Sequence, residues 1–380
     1  MPEYSSYQEL IDRDQANDLD AIMAVANPYI GATTTTVADG ADAMFTWDYE
    51  KGARPGLNKL YEKAKNAQWN GETDLDWSID VDQEAIAVFA QGAEPDWAAM
   101  NFDPTGTGLE KWGSKEWIQW GIEQQNWSLS QFMHGEQGAL ICTAKIVETV
   151  PWIDAKYYAA TQVMDEARHV EVFARYLDTK LDGHYPINHH LELLLDDIID
   201  DSRWDMTYLG MQIMVEGLAL AAFGLVHQTT LDPLLKQLLR YVMSDEARHV
   251  AFGVLSLQEF YKELTSAELL DRQEFAFEAA VRMRDRFLQQ EVWERMDVPV
   301  KDAIRVFKQD DPELKNQDPF QQLLFSKIVP NCKKLGLLDA NDGWLRKRFD
   351  TLGVTQFEDW ADTGEEYELL DEVAKDRASA

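Results

Sequence analysis

Cysteine is nearly absent: Cys142 and Cys332 are the only two in 380 residues. They are too few for a disulfide framework, and Cys142 sits in an apolar stretch where a small buried thiol is the ordinary reading. A reducing, cytoplasmic setting is the simplest expectation. Proline is scarce in the middle of the chain, where only Pro151, Pro186 and Pro233 occur between Pro104 and Pro299. Helix interiors avoid proline while first turns tolerate it, so this gap leaves room for long helices and marks three connections. Positive charge is also in short supply, with 35 Lys and Arg against 68 Asp and Glu and a net charge of −33. That balance argues against nucleic acid or an anionic membrane surface as a partner. It fits a very soluble protein, a salt-adapted host, or docking to a basic redox partner. No early apolar run gives the N-terminus signal-peptide character. One stretch, 207–226, is nearly apolar enough for a membrane span, but Gln212 and Glu216 sit near its middle, so it reads as a core helix.

What the chain does have is apolar residues at helical spacing. The hydrophobic fraction is 45%, which indicates a packed core rather than disorder. Four long helices are expected, at about 115–148, 152–180, 202–228 and 232–263. The short links at Pro151 and Pro233 make each pair an antiparallel hairpin. The intervening 181–201 stretch is long enough to cross a bundle and contains a short helix through 191–199. Residues 1–110 are less regular, with a threonine run at 33–36, an Asn70-Gly71 turn and one helix at 57–69. After the bundle, 267–296 reads as a fifth long helix, 319–338 as a helix interrupted near Pro330, and the acidic tail from Asp362 as weakly folded. The expected fold class is therefore all-α. A bundle at 111–265 carries an N-terminal extension (1–110) and a C-terminal helical extension (266–380), all in one structural domain.

Within that frame one hexapeptide, Asp-Glu-Ala-Arg-His-Val, occurs twice, at 165–170 and 245–250. Each copy follows a glutamate at the same distance: Glu136 lies 30 residues before Glu166, and Glu216 lies 30 residues before Glu246. Residues three apart share a helix face, so Glu166 pairs with His169 and Glu246 with His249. Glu136 and Glu216 lie in apolar stripes, with Leu129, Phe132, Met133 and Leu140 around the first and Leu209, Ile213, Leu220 and Phe223 around the second. Four buried carboxylates without cations would cost several kcal/mol each or take up protons. Two divalent ions balance them, and the mixed carboxylate and imidazole donors suit iron or manganese better than structural zinc. A lone Glu-x-x-His is common by chance; two copies at equal spacing are not. Asp165 and Asp245 are placed to accept the second ring N–H of a metal-bound histidine, on the opposite half, and Arg168 and Arg248 to neutralise them. His184, His189 and His190 are expected to face solvent, and His227 to pack at the end of the bundle. Trp120 and Trp127 fall on the face opposite Glu136, and with Trp117 they are expected to pack on the additional helices rather than to form an electron-transfer path.

The doubled motif resembles that of the ferritin-like di-iron carboxylate superfamily, over about residues 115–265. Its Asp-Glu-x-Arg-His form is similar to that of multicomponent monooxygenase hydroxylases and the radical subunits of ribonucleotide reductase. The resemblance implies a ferritin-like four-helix bundle with additional N- and C-terminal helices. It implies two Fe, with Mn possible: Glu136, Glu166 and His169 on one ion, Glu216, Glu246 and His249 on the other, and Glu166 and Glu246 bridging. Three positions depart from relatives' patterns. Phe173 stands where radical subunits place a tyrosine, Leu220 where the hydroxylases place a threonine, and Val242 where arylamine N-oxygenases place a histidine. A pocket is expected around Phe173, Leu220, Phe223 and Gly253; Gly253, the repeat-equivalent of Phe173, either leaves open space for substrate or dioxygen or allows two helices to approach closely. The function implied is a non-haem di-iron oxidase or oxygenase that uses dioxygen on an apolar or aromatic organic substrate. An electron-donor protein, ferredoxin or reductase, is the implied partner, and a homodimer is left open. The alternatives are a ferroxidase or manganese-catalase-like protein, and a non-enzymatic, metal-stabilised interaction protein.

Overall fold

The computed structural model describes residues 18–23, 25, 40–44, 50–91, 97, 103–181, 183–307 and 319–363. The threonine run and the tail beyond 363 lie outside them. Helices α1 (Leu19–Met23), α2 (Pro55–Asn66) and α3 (Gln83–Gln91) precede the bundle. The bundle comprises α4 (Ser114–Thr149), α5 (Ile153–Lys180), the crossover helix α6 (His189–Asp200), α7 and α8 (Pro233–Phe260). Helix α7 runs from Trp204 to Thr229 and includes a π-helical turn at Leu209–Val215. Then come α9 (Ser266–Asp285), α10 (Gln290–Arg295), α11 (Val300–Phe307), α12 (Pro319–Lys334) and α13 (Ala340–Thr351). There is no strand among the described residues. The protein is all-α.

The helix ends have local causes. The Glu116 carboxylate accepts from the Gly113 N–H at 2.9 Å to start α4, and Pro151 follows its last turn. Asn188 caps α6, accepting from the His190 N–H at 3.1 Å. Asp232 caps α8 with Pro233 in the first turn, and Thr265 with Glu268 forms a reciprocal capping box on α9. The crossover is tied to α4 through Gln131, whose side chain donates to the Pro186 carbonyl and accepts from the Asn188 N–H. Gly138 lets α6 lie close to α4: a Cβ there would meet Leu195 at 2.5 Å.

Three expectations are corrected. The fifth helix breaks at Gln289, whose left-handed φ of 51° separates α9 from α10. Helix α12 continues through Pro330 to Lys334, since the missing N–H removes a single hydrogen bond. His190 is buried at 3% exposure rather than solvent-facing, because α6 packs it inward beside Leu191 and Leu194.

The core of the bundle is in two parts, and each helix passes from one to the other at its acidic ligand candidate. Leu129 and Phe132 of α4, Val172, Phe173 and Leu177 of α5, Phe223 of α7 and Leu238 and Val242 of α8 form one body. Cys142 and Ile146 of α4, Tyr158 of α5, Leu209 and Ile213 of α7 and Phe252 and Leu257 of α8 belong to the other, which extends into α9, α12 and α13. Each fully buried Leu or Phe contributes about 1.5–3 kcal/mol, so both bodies hold the layer between them firmly. Helix α7 has the length and hydropathy of a membrane span, but 72% of its apolar window is buried inside the protein. It is a core helix. Trp117, Trp120 and Trp127 pack away from the centre, with Trp120 stacked on Trp293 of α10 and the Trp127 indole donating to Glu291.

Candidate metal centre

Between the two bodies, four helices bring six side chains into one buried layer. Glu136, Glu166, His169 and Glu246 form one group whose donor atoms lie within 4.8 Å of one another, and Glu166, Glu216 and His249 form a second. The Glu166 carboxylate belongs to both: Oε2 is 3.3 Å from His169 Nδ1 and Oε1 is 3.1 Å from His249 Nδ1. Glu246 Oε1 also reaches both rings, at 3.1 Å from His169 Nδ1 and 3.5 Å from His249 Nδ1. These two carboxylates span the site, whereas Glu136 and Glu216 lie at its ends. All six residues are at most 5% exposed.

The histidine tautomers follow from their partners. His169 Nε2 faces Asp245 at 3.2 Å and His249 Nε2 faces Asp165 at 3.4 Å, each across to the other half. An ionised carboxylate only accepts, so each Nε2 carries a hydrogen and each Nδ1 points into the layer, where its lone pair would serve a metal ion. Glu166 Oε2, Glu216 Oε2, both Glu246 oxygens and His249 Nδ1 are buried without a hydrogen-bond partner. Buried polar atoms are normally satisfied, so this convergence of orphaned anionic and imidazole donors fits cations. The cluster can hold two metal ions.

Around it the charges are crossed. Arg168 bonds Asp165 at 2.5 Å and Asp245 at 3.1 Å, while Arg248 bonds Asp245 and lies 3.6 Å from Asp165. Two further residues enter from the loop after α2. Gln68 donates to Asp165 at 3.0 Å, and the Trp69 indole donates to Asp245 at 2.8 Å, with the Arg168 guanidinium over its ring. The helix expected at 57–69 ends at Asn66, which frees these two side chains to turn inward. Gln162 on α5 donates to both Glu166 and Glu216, at 2.9 Å each. The repeat alone does not point to Gln68 or Trp69. Gln162 carried a signal: it stands four residues before Glu166, as Gln212 stands four before Glu216.

Without cations the layer keeps protons. Burial, then the Glu246 charge, pushes the Glu136 carboxyl well above its usual range, and burial with Glu166 and Glu246 does the same for Glu216. Burial disfavours charge on both imidazoles, yet the carboxylates around them, led by Glu136 for His169 and Glu166 for His249, lift them well above the usual range. Glu166 moves the other way: burial opposes ionisation, but His249 and His169 hold its carboxyl far below the usual range.

The expected pocket residues divide. Phe132, Phe173 and Phe223 pack on one another at ring-centroid distances between 4.8 and 6.1 Å, so three rings close one side of the layer. Leu220 is half-buried. Gly253 is not beside open space: a Cβ there would meet Gln212 Cβ at 2.6 Å, so the glycine serves close approach of α7 to α8. Gly253→Ala is therefore expected to destabilise the fold by about 1–3 kcal/mol through overpacking. Unchanged thermal unfolding of that variant would contradict the contact. A cavity of about 170 Å³ lies at the far end of the aromatic side, lined by Phe89, Gln124, Leu129, Val226 and Leu235 among others. Its inner wall, Leu129, belongs to the same packed body as the three rings.

No protein-family model matches the sequence, and no curated protein matches it. Among solved structures the chain is similar to R2-like ligand-binding oxidases. One with an anaerobically reconstituted Mn/Fe cofactor is 19% identical over 76% of this chain and 95% of that one, with a TM-score of 0.45. Another, with an aerobically reconstituted metal cofactor after photoconversion, is 18% identical over the same shares, with a TM-score of 0.46.

Proposed function

We propose that this protein is a non-haem di-iron oxidase, with manganese an alternative occupant, that uses dioxygen to oxidise an apolar or aromatic organic substrate. The observation that carries the reading is the sealed layer in which two Glu-x-x-His pairs and two further glutamates turn orphaned donor atoms on one another. Glu136, Glu166 and His169 would hold one ion, Glu216, Glu246 and His249 the other, with Glu166 and Glu246 shared. A pair of iron ions in this donor set supplies one-electron and dioxygen chemistry that amino-acid side chains lack.

The protein's own contribution is to orient, neutralise and exclude water. Asp165 and Asp245 hold each imidazole in the tautomer that presents Nδ1, and Arg168 and Arg248 pair with the aspartates. Gln162 holds the Glu166 and Glu216 carboxylates at a fixed separation. The Phe132, Phe173 and Phe223 rings keep solvent from one side, which limits side reactions. Turnover would draw electrons from a ferredoxin or reductase, and the net charge of −33 favours a donor with a basic face.

Anaerobic loading with Fe(II), followed by oxygen, tests the reading. Rapid oxidation with a coloured species whose decay is accelerated by apolar organic substrates is the expected result. Catalytic release of oxygen from peroxide, with no substrate effect, would replace it by a peroxide-handling function.

A further inference from the structure

The 80-residue repeat makes the two sides of the centre directly comparable. Phe132, Phe173, Phe223 and Val242 all belong to the packed body that closes one side. Adding or subtracting the repeat turns these four into Gln212, Gly253, Thr143 and Gln162, each polar or without a side chain. The structure preserves the correspondence. The Phe132–Phe173 ring pair matches the Gln212–Gly253 contact, and Gln162 lies against the Glu216 end of the layer. The centre thus has one dry side and one polar side.

The polar side is unsatisfied. Gln212, Gln162 and Thr143 are each 0% exposed. Neither polar atom of the Gln212 carboxamide has a hydrogen-bond partner, nor does Gln162 Oε1, nor the Thr143 hydroxyl. Leaving a buried donor or acceptor unpaired costs about 1–3 kcal/mol, and the residues that carry these atoms adjoin the centre: Gln162 bonds Glu166 and Glu216, Gln212 lies against Gly253, and Thr143 stands two turns after Glu136 on α4. Gln212 also lies in the π-helical turn of α7, an irregularity often found at functional sites. Neither arginine of the centre is free to pair with an anion on this face, because Arg168 and Arg248 are committed to Asp165 and Asp245, and its own polar groups are neutral amides and a hydroxyl. Its occupant is therefore neutral and both donates and accepts hydrogen bonds. In the core body on that side Tyr158 and Tyr208 pack tilted against Phe252, the neighbour of Gly253 in α8, at centroid distances of 4.4 and 5.0 Å, so aromatic surface is at hand for the apolar remainder of such a molecule.

We propose that the Gln212–Gln162–Thr143 face is the substrate-binding side of the metal pair, and that it selects a neutral organic molecule by its hydroxyl or amine group. This rests on the reading of the layer as a metal pair and names the class of substrate it would take. Gln212 and Thr143 act as specificity determinants, each offering a donor and an acceptor to the same group. The three phenylalanines confine that group to the opposite side.

The test uses full-length protein loaded anaerobically with Mn(II), which avoids turnover, and titrates phenol against toluene, two probes of similar shape of which one can hydrogen-bond. Phenol is expected to bind at least about tenfold more tightly than toluene, the weight of one well-made hydrogen bond. Gln212→Leu and Thr143→Val, on different helices, are each expected to abolish most of that preference while retaining the wild-type Mn content. Phe132→Leu, on the dry side, is expected to keep it. Absence of phenol binding, equal binding of phenol and toluene, or a preference that survives both polar-side variants would overturn the proposal. The wild-type ranking decides this even if a variant fails to fold. Equal ranking would also follow if the face held only solvent water. Failure of wild-type protein to take up paired Mn(II) would instead count against the metal-centre reading itself.

Discussion

Glu246→Ala is expected to abolish binding of the metal pair while leaving most of the helix content intact. One Glu246 oxygen lies within 3.5 Å of both histidine Nδ1 atoms, so its removal deletes a donor from both halves at once. Loss of a partner that merely supports a ligand already costs about 10–100-fold in metal affinity, and loss of a shared ligand exceeds that. Helix content should survive because Glu246 has no helix-stabilising partner to lose, and its neighbours Val242 and Val250 keep α8 packed. Elemental analysis of purified variant is the measurement. Wild-type metal content in Glu246→Ala would remove the residue from the ligand set.

Metal removal is expected to lower stability by several kcal/mol, and by more at higher pH. In metal-free protein, Glu136 and Glu216 keep protons that the unfolded chain releases near the ordinary value of 4.5. Above that pH the folded state binds more protons than the unfolded one, so stability falls as pH rises. His169 and His249, raised above 6.5, add the same sign through neutrality. Glu166 and Asp245, held low, act oppositely: their contribution is present above about pH 4 and is lost on acidification. Metal-loaded protein is free of the first two penalties because the ions replace those protons, and affinity grows as the ligands deprotonate. The gap in Tm between Mn(II)-loaded and chelator-treated protein should therefore widen from pH 5 to pH 8. Equal melting temperatures, or a gap that narrows with pH, would show that the layer does not hold cations.

The sequence by itself determined the ligand candidates, the four helices that carry them and the crossed aspartate–histidine pairs. The first two depend on local periodicity: three-residue spacing puts Glu166 beside His169 and Asp165 beside Arg168, and equal 30-residue intervals make the halves equivalent; the crossed pairs follow from the second N–H that a metal-bound imidazole must place. Helix ends at Pro151 and Pro233 are also local, and they lie where expected. Tertiary structure alone decided what surrounds the centre. Trp69 reaches Asp245 from 176 residues away, a contact set by how the α2 loop lies on the bundle. His190 is buried by the packing of α6, and Gly253 is filled by a side chain from α7, so neither a polar residue nor a missing side chain revealed its surroundings. The π turn and the unpartnered amide of Gln212 likewise arise only when four helices crowd one layer. Hydrophobic pattern shows which face of a helix is buried, but which side chains meet across that face depends on helix rotation and closeness, which packing alone sets.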